Sequence, residues 1–324
     1  MNKWTRNAIL AIILASCVLA VAGCSLVSKQ PQMKSAGLLL PETINDQVWG
    51  TKGYKGLLQI RSKFNVDVYY REDINTEERV RNAVDEFHNM GVNFIIGHGE
   101  FYANCFNEIS GKYPEIQFIT LNGEAKNKNT TSLIFEGYAM GYFGGMIAAE
   151  MSESNVLGIV GAYETQQEIK GFIEGAKYRK PSIKTHVAYV GDWDDIDKGL
   201  ELAEGLLSQN ADVIYPAGDG FNVPVIEKAK EEGAYVIGYI SEQHDFGERT
   251  VLTSTVQEVE KLIMLAAEQF NAGELKSGNL YFDFGDGVIS MGEYSTLLPK
   301  EFRDEMDSHI AEYIKTGKLP GKEK

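Results

Sequence analysis

Five histidines, three cysteines and 46 carboxylates are the material for chemistry in this chain of 324 residues. Their spacing argues against an enzyme. No H-E-x-x-H, G-x-S-x-G, Walker phosphate loop or paired C-x-x-C occurs, so the signatures of metal-assisted hydrolysis, acyl transfer and phosphoryl transfer are missing. His88, His186, His244 and His309 are dispersed. His98 differs, because Gly97-His98-Gly99-Glu100 directly follows an apolar run and should border any site built at strand ends; it is a candidate ligand contact, not a general base. The run from Asp192 to Asp197 invites a calcium reading, but an EF-hand loop needs glycine sixth and glutamate twelfth, where this chain has Asp197 and Ala203. A strand-to-helix loop capped by aspartate fits better. No metal and no cofactor is expected.

The elements that must position such residues fall into two series. Apolar runs begin near Ala36, Val66, Val92 and Ile116, and again near Val156, Thr185, Ala211 and Ala234. They lie roughly 25 to 30 residues apart, the length of a strand plus a crossover helix. Between them, Asn75 and Glu78 resemble a capping pair ahead of the stripe Val80, Val84, Phe87 and Met90, with Gly91 as the stop. Asp195 precedes a second stripe of Leu200, Ala203 and Leu207. Gly141, Gly144 and Gly145 lie inside a helix predicted over 136–151, where they allow close helix packing rather than dinucleotide binding. The fold class is therefore α/β: two doubly wound parallel-sheet lobes, with ligands expected in the cleft outside the carboxyl ends of the strands.

The N-terminus reads as an export signal. Lys3 and Arg6 precede an apolar run from Ala8 to Ala22, shorter than the ~20 residues of a membrane span. It ends Val21-Ala22-Gly23-Cys24, which resembles a lipobox, so residues 1–23 are expected to be removed and Cys24 lipidated. Residues 24–34 read as a polar tether, and acylation would supply the anchor without a membrane span. Cys105 would then be the remaining thiol, best read as a small core residue. A formal charge of −15 already argues against direct nucleic-acid binding, and removing Lys3 and Arg6 would make the chain more acidic still.

Particular stretches carry a family resemblance. They are 135–145 (FEGYAMGYFGG), 171–177 (GFIEGAK), 191–195 (GDWDD) and 211–220 (ADVIYPAGDG), in that order. Together they resemble the basic membrane protein (BMP) family of lipoprotein solute-binding proteins, over roughly residues 34 to 295. Within it, 43–46 (TIND), 48–56 (VWGTKGYKG) and 251–257 (VLTSTVQ) look most like members described as positive regulators of competence in bacilli. The resemblance implies a type I periplasmic-binding-protein fold with a hinge and an interlobe cleft. It also implies a small-molecule ligand, a nucleoside above all, and a partner ABC permease and ATPase for members that work in uptake. Carried over by motif, Trp49 takes the place of the base-stacking aromatic, beside Asn45 and Asp46. Trp193, Gly218, Asp219 and Gly220 belong to the matching loops, and Glu242 stands where the family usually has aspartate. Three positions depart from the pattern: Gly50 replaces asparagine, Gln257 replaces lysine, and Glu242 is one methylene longer. Trp49 has a plainer reading as a core residue of the loop-to-helix junction.

The expected layout is a first lobe of 35–135 plus about 242–284 and a second of 136–241 plus about 285–324. The expected function is a monomeric lipoprotein on the extracytoplasmic face of the membrane of a Gram-positive cell, capturing a solute for uptake. The alternative is a membrane-bound regulator of competence gene expression, with or without ligand sensing. Hydrolysis of a nucleoside is the weakest reading.

Overall fold

A computed structural model describes residues 33–44 and 49–322. The expected signal, Cys24, most of the tether, Asn45 and Asp46 lie outside the described residues. Met33 and Lys34, expected in the tether, instead join the fold: Met33 is buried and its N–H donates to Asn271, while the Lys34 N–H donates to Asn93.

All eight predicted strands form. The first sheet contains β1 (Ser35–Leu39), β2 (Asp67–Arg71), β3 (Phe94–Gly97), β4 (Gln117–Leu121), β5 (Thr130–Phe135) and β11 (Gly278–Phe282), in the order β11-β5-β4-β3-β1-β2. Every pairing in it is parallel. The second sheet contains β6 (Val156–Gly161), β7 (Lys184–Tyr189), β8 (Val213–Ala217), β9 (Tyr235–Ile240), β10 (Val251–Gln257) and β12 (Ile289–Met291), in the order β12-β10-β9-β8-β6-β7. Its strands are parallel apart from β12, which runs antiparallel to β10. Each sheet has the same doubly wound core of five strands with a sixth added beyond the fifth, the type I periplasmic-binding arrangement.

The chain changes lobe after β5, after β10 and after β11. The boundary expected near 242 therefore moves to 257: β10 pairs with β9 and β12 and belongs to the second lobe. Its Thr253, Ser254 and Thr255 are fully buried, which hydropathy alone does not suggest, and their hydroxyls donate to Gly292, Glu242 and Gly238. The helices are α1 (Trp49–Phe64), α2 (Glu77–Asn89), α3 (Phe101–Ile109), α4 (Tyr138–Met151), α5 (Gln167–Arg179), α6 (Ile196–Ser208), α7 (Asn222–Glu231), α8 (Val259–Ala272) and α9 (Lys300–Thr316). The cap of α2 is Thr76 rather than Asn75, since the Thr76 side chain accepts from the Arg79 N–H. Met90 falls at the C-cap and is exposed, leaving Val80, Ala83, Val84 and Phe87 as the buried stripe. Asp195 caps α6 as expected.

Helix α4 is buried on nearly every face and crosses α5 at backbone contact. A Cβ on Gly141 or Gly145 would stand 1.9 or 2.0 Å from the carbonyl oxygen of Glu168 or Phe172. One on Gly171 or Gly175 would stand 2.0 or 1.9 Å from that of Tyr138 or Tyr142. Glycine on both helices is what lets α4 and α5 approach so closely. No helix among the described residues is long and apolar enough to cross a membrane. Cys105 is buried in the first lobe, and that burial raises its thiol pKa.

Candidate functional site

A cavity of about 470 Å³ opens between the two lobes, where the carboxyl ends of both sheets face each other. The volume suits a small organic ligand. Five of the expected residues line it: Trp49, His98, Trp193, Asp219 and Gln257.

The first lobe supplies a braced aromatic wall. Trp49 opens α1, and its indole stacks on the His98 ring at 4.6 Å, with the edge of Phe135 at 6.5 Å. Trp49 Nε1 donates to the His98 carbonyl at 3.4 Å, and His98 Nε2 lies 2.7 Å from the Trp49 carbonyl oxygen. The imidazole is fully buried, and a Cβ on Gly53 would stand 2.7 Å from it. His98 thus holds the indole in place.

The second lobe supplies a polar wall. Gln166 Nε2 donates to Glu168 Oε1 and to the Ala217 carbonyl, each at 3.0 Å, and the Tyr239 hydroxyl donates to the same carboxylate oxygen at 3.0 Å. Burial and the neighbouring Glu168 charge push the Tyr239 phenol well above its usual pKa, so it remains a neutral donor. Both Glu168 and Gln166 are buried. Sequence reasoning missed these three residues. The signal was present, because Tyr239 lies next to the end of a predicted strand and Gln166 and Glu168 follow another.

Two wall residues are unusual. Ile240 ends β9 with φ +63°, a left-handed conformation that a β-branched side chain rarely adopts. Such strain persists only where the surroundings over-determine it, here a cavity-lining strand end. Gln257 ends β10 at a lobe crossover and is 5% exposed. Its Oε1 has no hydrogen-bond partner, and its Nε2 reaches only the Met140 sulfur at 3.9 Å. Its backbone carbonyl accepts from Lys52 Nζ at 2.9 Å.

The remaining expected residues do other work. Glu242 is exposed and turned away: its carboxylate accepts from the N–H groups of His244 and Glu293 and from the Ser254 hydroxyl, bracing the end of β12. Gly218 and Gly220 do not line the cavity. A Cβ on Gly218 would strike the Phe221 ring, and one on Gly220 would stand 2.8 Å from Asp194 Cα. They let the loops after β7 and β8 close on each other, where the Asp219 and Gly220 N–H groups donate to the Trp193 carbonyl. Trp193 meets Tyr163 edge-on at 5.6 Å. Among the described residues no group of His, Cys, Asp or Glu is arranged to hold a metal.

With this geometry the comparisons with known proteins agree. The model of the ABC transporter substrate-binding proteins of PnrA-like type (Bmp) matches residues 33–323. The chain belongs to this family. It is 47% identical to the transcriptional activator protein med of Bacillus subtilis, over 96% of this chain and 98% of that one. A crystal structure of a transcriptional activator of the comK gene from Bacillus halodurans superposes with a TM-score of 0.83 at 48% identity, covering 88% of this chain and 99% of the other. The ABC transporter nucleoside-binding protein BmpA of Lactococcus lactis is 23% identical over 88% of this chain and 90% of its own. The cavity between the lobes, with the two walls described above, is the candidate ligand site.

Proposed function

We propose that this PnrA-like chain is a membrane-anchored solute-binding protein that closes its lobes on a nucleoside. The observation that carries the reading is the interlobe cavity with an indole on one wall and hydrogen-bonding groups on the other. A flat base gains by stacking on Trp49, and Asp219 and the Gln257 amide are placed to accept from ribose hydroxyls or ring N–H groups. Asn45 and Asp46, adjoining Trp49 in the chain, complete the proposed contacts. Closure follows the hinge pattern of two-lobed receptors, with the chain bending at its three crossovers. Cys24 carries the lipid that holds the protein on the extracytoplasmic face, and an ABC permease and ATPase receive the ligand. Isothermal titration of the full chain with nucleosides, nucleobases and sugars tests this. A saturating heat with a nucleoside, lost in Trp49→Ala, is expected; no heat and no thermal shift with any of them overturns it.

The similarity to the Bacillus subtilis activator favours a second reading, a regulator of competence that acts from the membrane. The same cavity then serves as a sensor. A deletion strain decides: normal nucleoside uptake with altered competence-gene expression selects regulation, and lost uptake with unchanged expression selects transport.

A further inference from the structure

We propose that the ligand of this cleft is a flat aromatic cation, and that the site rejects phosphorylated nucleosides; the inference deepens the cleft-binding reading and rests on it. The charge around the cavity is one-sided. Glu42, Glu100 and Asp194 stand at its mouth, Asp219 is half-buried in the wall and Glu168 is buried. No lysine or arginine is among the described residues that line it. Lys52, behind Gln257, is already engaged: its ammonium donates to the Gln257 carbonyl and lies 3.6 Å from Glu260. The field at the mouth acts on Tyr163, whose phenol is held above its ordinary pKa by burial first and then by Asp192, Glu100 and Asp194.

A row of carboxylates alone would mean little. The independent observation is Gln257, a residue of the cavity wall whose buried Oε1 has no donor. An unpaired buried acceptor costs free energy until something donates to it. Glu168 adds a second acceptor, since Gln166 and Tyr239 both donate to Oε1 and no described residue donates to Oε2. The wall thus asks for donors, while Trp49 offers the aromatic face that attracts cations best. A phosphate would bring its charge into a low-dielectric site already negative, with no cation to pair it. A ring carrying delocalised positive charge and N–H groups satisfies the indole, the acceptors and the field together. The exposed carboxylates would speed its capture in a salt-dependent way.

The test is a titration of the full chain with four probes: adenosine, 1-methyladenosine, N6-methyladenosine and adenosine 5′-monophosphate. The second carries a positive charge at neutral pH; the third adds the same methyl group without charge. The expected order is 1-methyladenosine at least ~10-fold tighter than adenosine, N6-methyladenosine close to adenosine, and no binding of the monophosphate. Gln257→Lys should erase the preference for the cation, and Glu100→Asn at the exposed mouth should lower cation affinity by about two- to threefold with the fold intact. Adenosine binding as tightly as 1-methyladenosine, an equal gain from N6-methylation, or binding of the monophosphate overturns the charge selectivity and leaves the nucleoside reading standing. Silence from all four probes, with heat from another nucleoside or a sugar, overturns the cation proposal alone. Silence from every solute tested removes the cleft-binding reading and this proposal with it.

Discussion

The two lobes share a strand order but build opposite walls. The first presents rings locked by stacking, Trp49 on His98 with Phe135 at the edge. The second presents a hydrogen-bonded set in which Gln166 and Tyr239 share one oxygen of Glu168. They differ equally in how their helices are held. In the second lobe α4 and α5 meet backbone to backbone, whereas in the first α1 meets α8 through side chains, with a Cβ on Gly56 reaching only 3.1 Å from Ile263. One doubly wound frame therefore supports two kinds of stiffness, and the proposed recognition would be divided between them. One side offers a flat aromatic shape and the other a hydrogen-bonded set.

Breaking the helix pair should have the largest effect. Gly145→Val puts a branched side chain where even a Cβ meets the Phe172 carbonyl oxygen at 2.0 Å, and it should cost about 4 kcal/mol or more, or prevent folding. Gly56→Ala, its counterpart in the first lobe, should cost only about 1 kcal/mol, because Ile263 can shift. Thermal and denaturant unfolding of the two variants compares the lobes directly; equal losses would mean that their helices are held alike.

At the walls, Trp49→Ala should weaken nucleoside binding by about 100-fold by calorimetry, from lost stacking and area. Tyr239→Phe, which removes one donor from buried Glu168, should cost about 1 to 2 kcal/mol of stability and weaken binding only a few-fold. The reverse ranking would place recognition on the polar wall. His98→Ala should lower stability by about 2 to 4 kcal/mol through the cavity it leaves, and should weaken binding by releasing the indole.

The smallest effect is electrostatic and lies between the lobes. Glu136, at the first crossover, has its carboxyl pKa raised, by partial desolvation first and then by Asp283 and Asp286. The folded chain therefore holds that proton more tightly than the unfolded chain. Its contribution to stability is present at low pH and is lost as pH rises through the raised value. Glu86 in the first lobe has the opposite sign: its pKa is lowered by Arg71, so its contribution is lost as pH falls. Melting curves of Glu136→Gln and the parent should converge in mild acid and separate slightly at neutral pH, with the variant higher. A variant that melts lower at neutral pH would show that Glu136 stabilises the crossover.

Much of this was legible in the sequence wherever burial and hydropathy coincide. Six of the eight predicted strands announced themselves because both faces of a parallel sheet are covered and their residues are apolar, while the edge strands β2 and β7 are only half-covered and were legible from their branched and aromatic residues. β10 did not, since its central residues are hydroxylated and become buried only because each hydroxyl finds an acceptor. At the site, Trp49, His98, Trp193, Asp219 and Gln257 lie next to strand ends, where topology alone directs attention. Glu242 lies there too and misleads, because Gly292 has no side chain and admits its carboxylate to the Glu293 N–H instead. The Gln166, Glu168 and Tyr239 set depends on three separate segments meeting, which no local pattern announces.

The sixth strands carry a consequence for biosynthesis. β11 and β12 come from the last fifth of the chain, yet each completes a different sheet. During synthesis from the N-terminus each lobe therefore stays one strand short until residues 278–291 have emerged, after both five-stranded cores. The order of synthesis thus completes the two lobes close together rather than one well before the other.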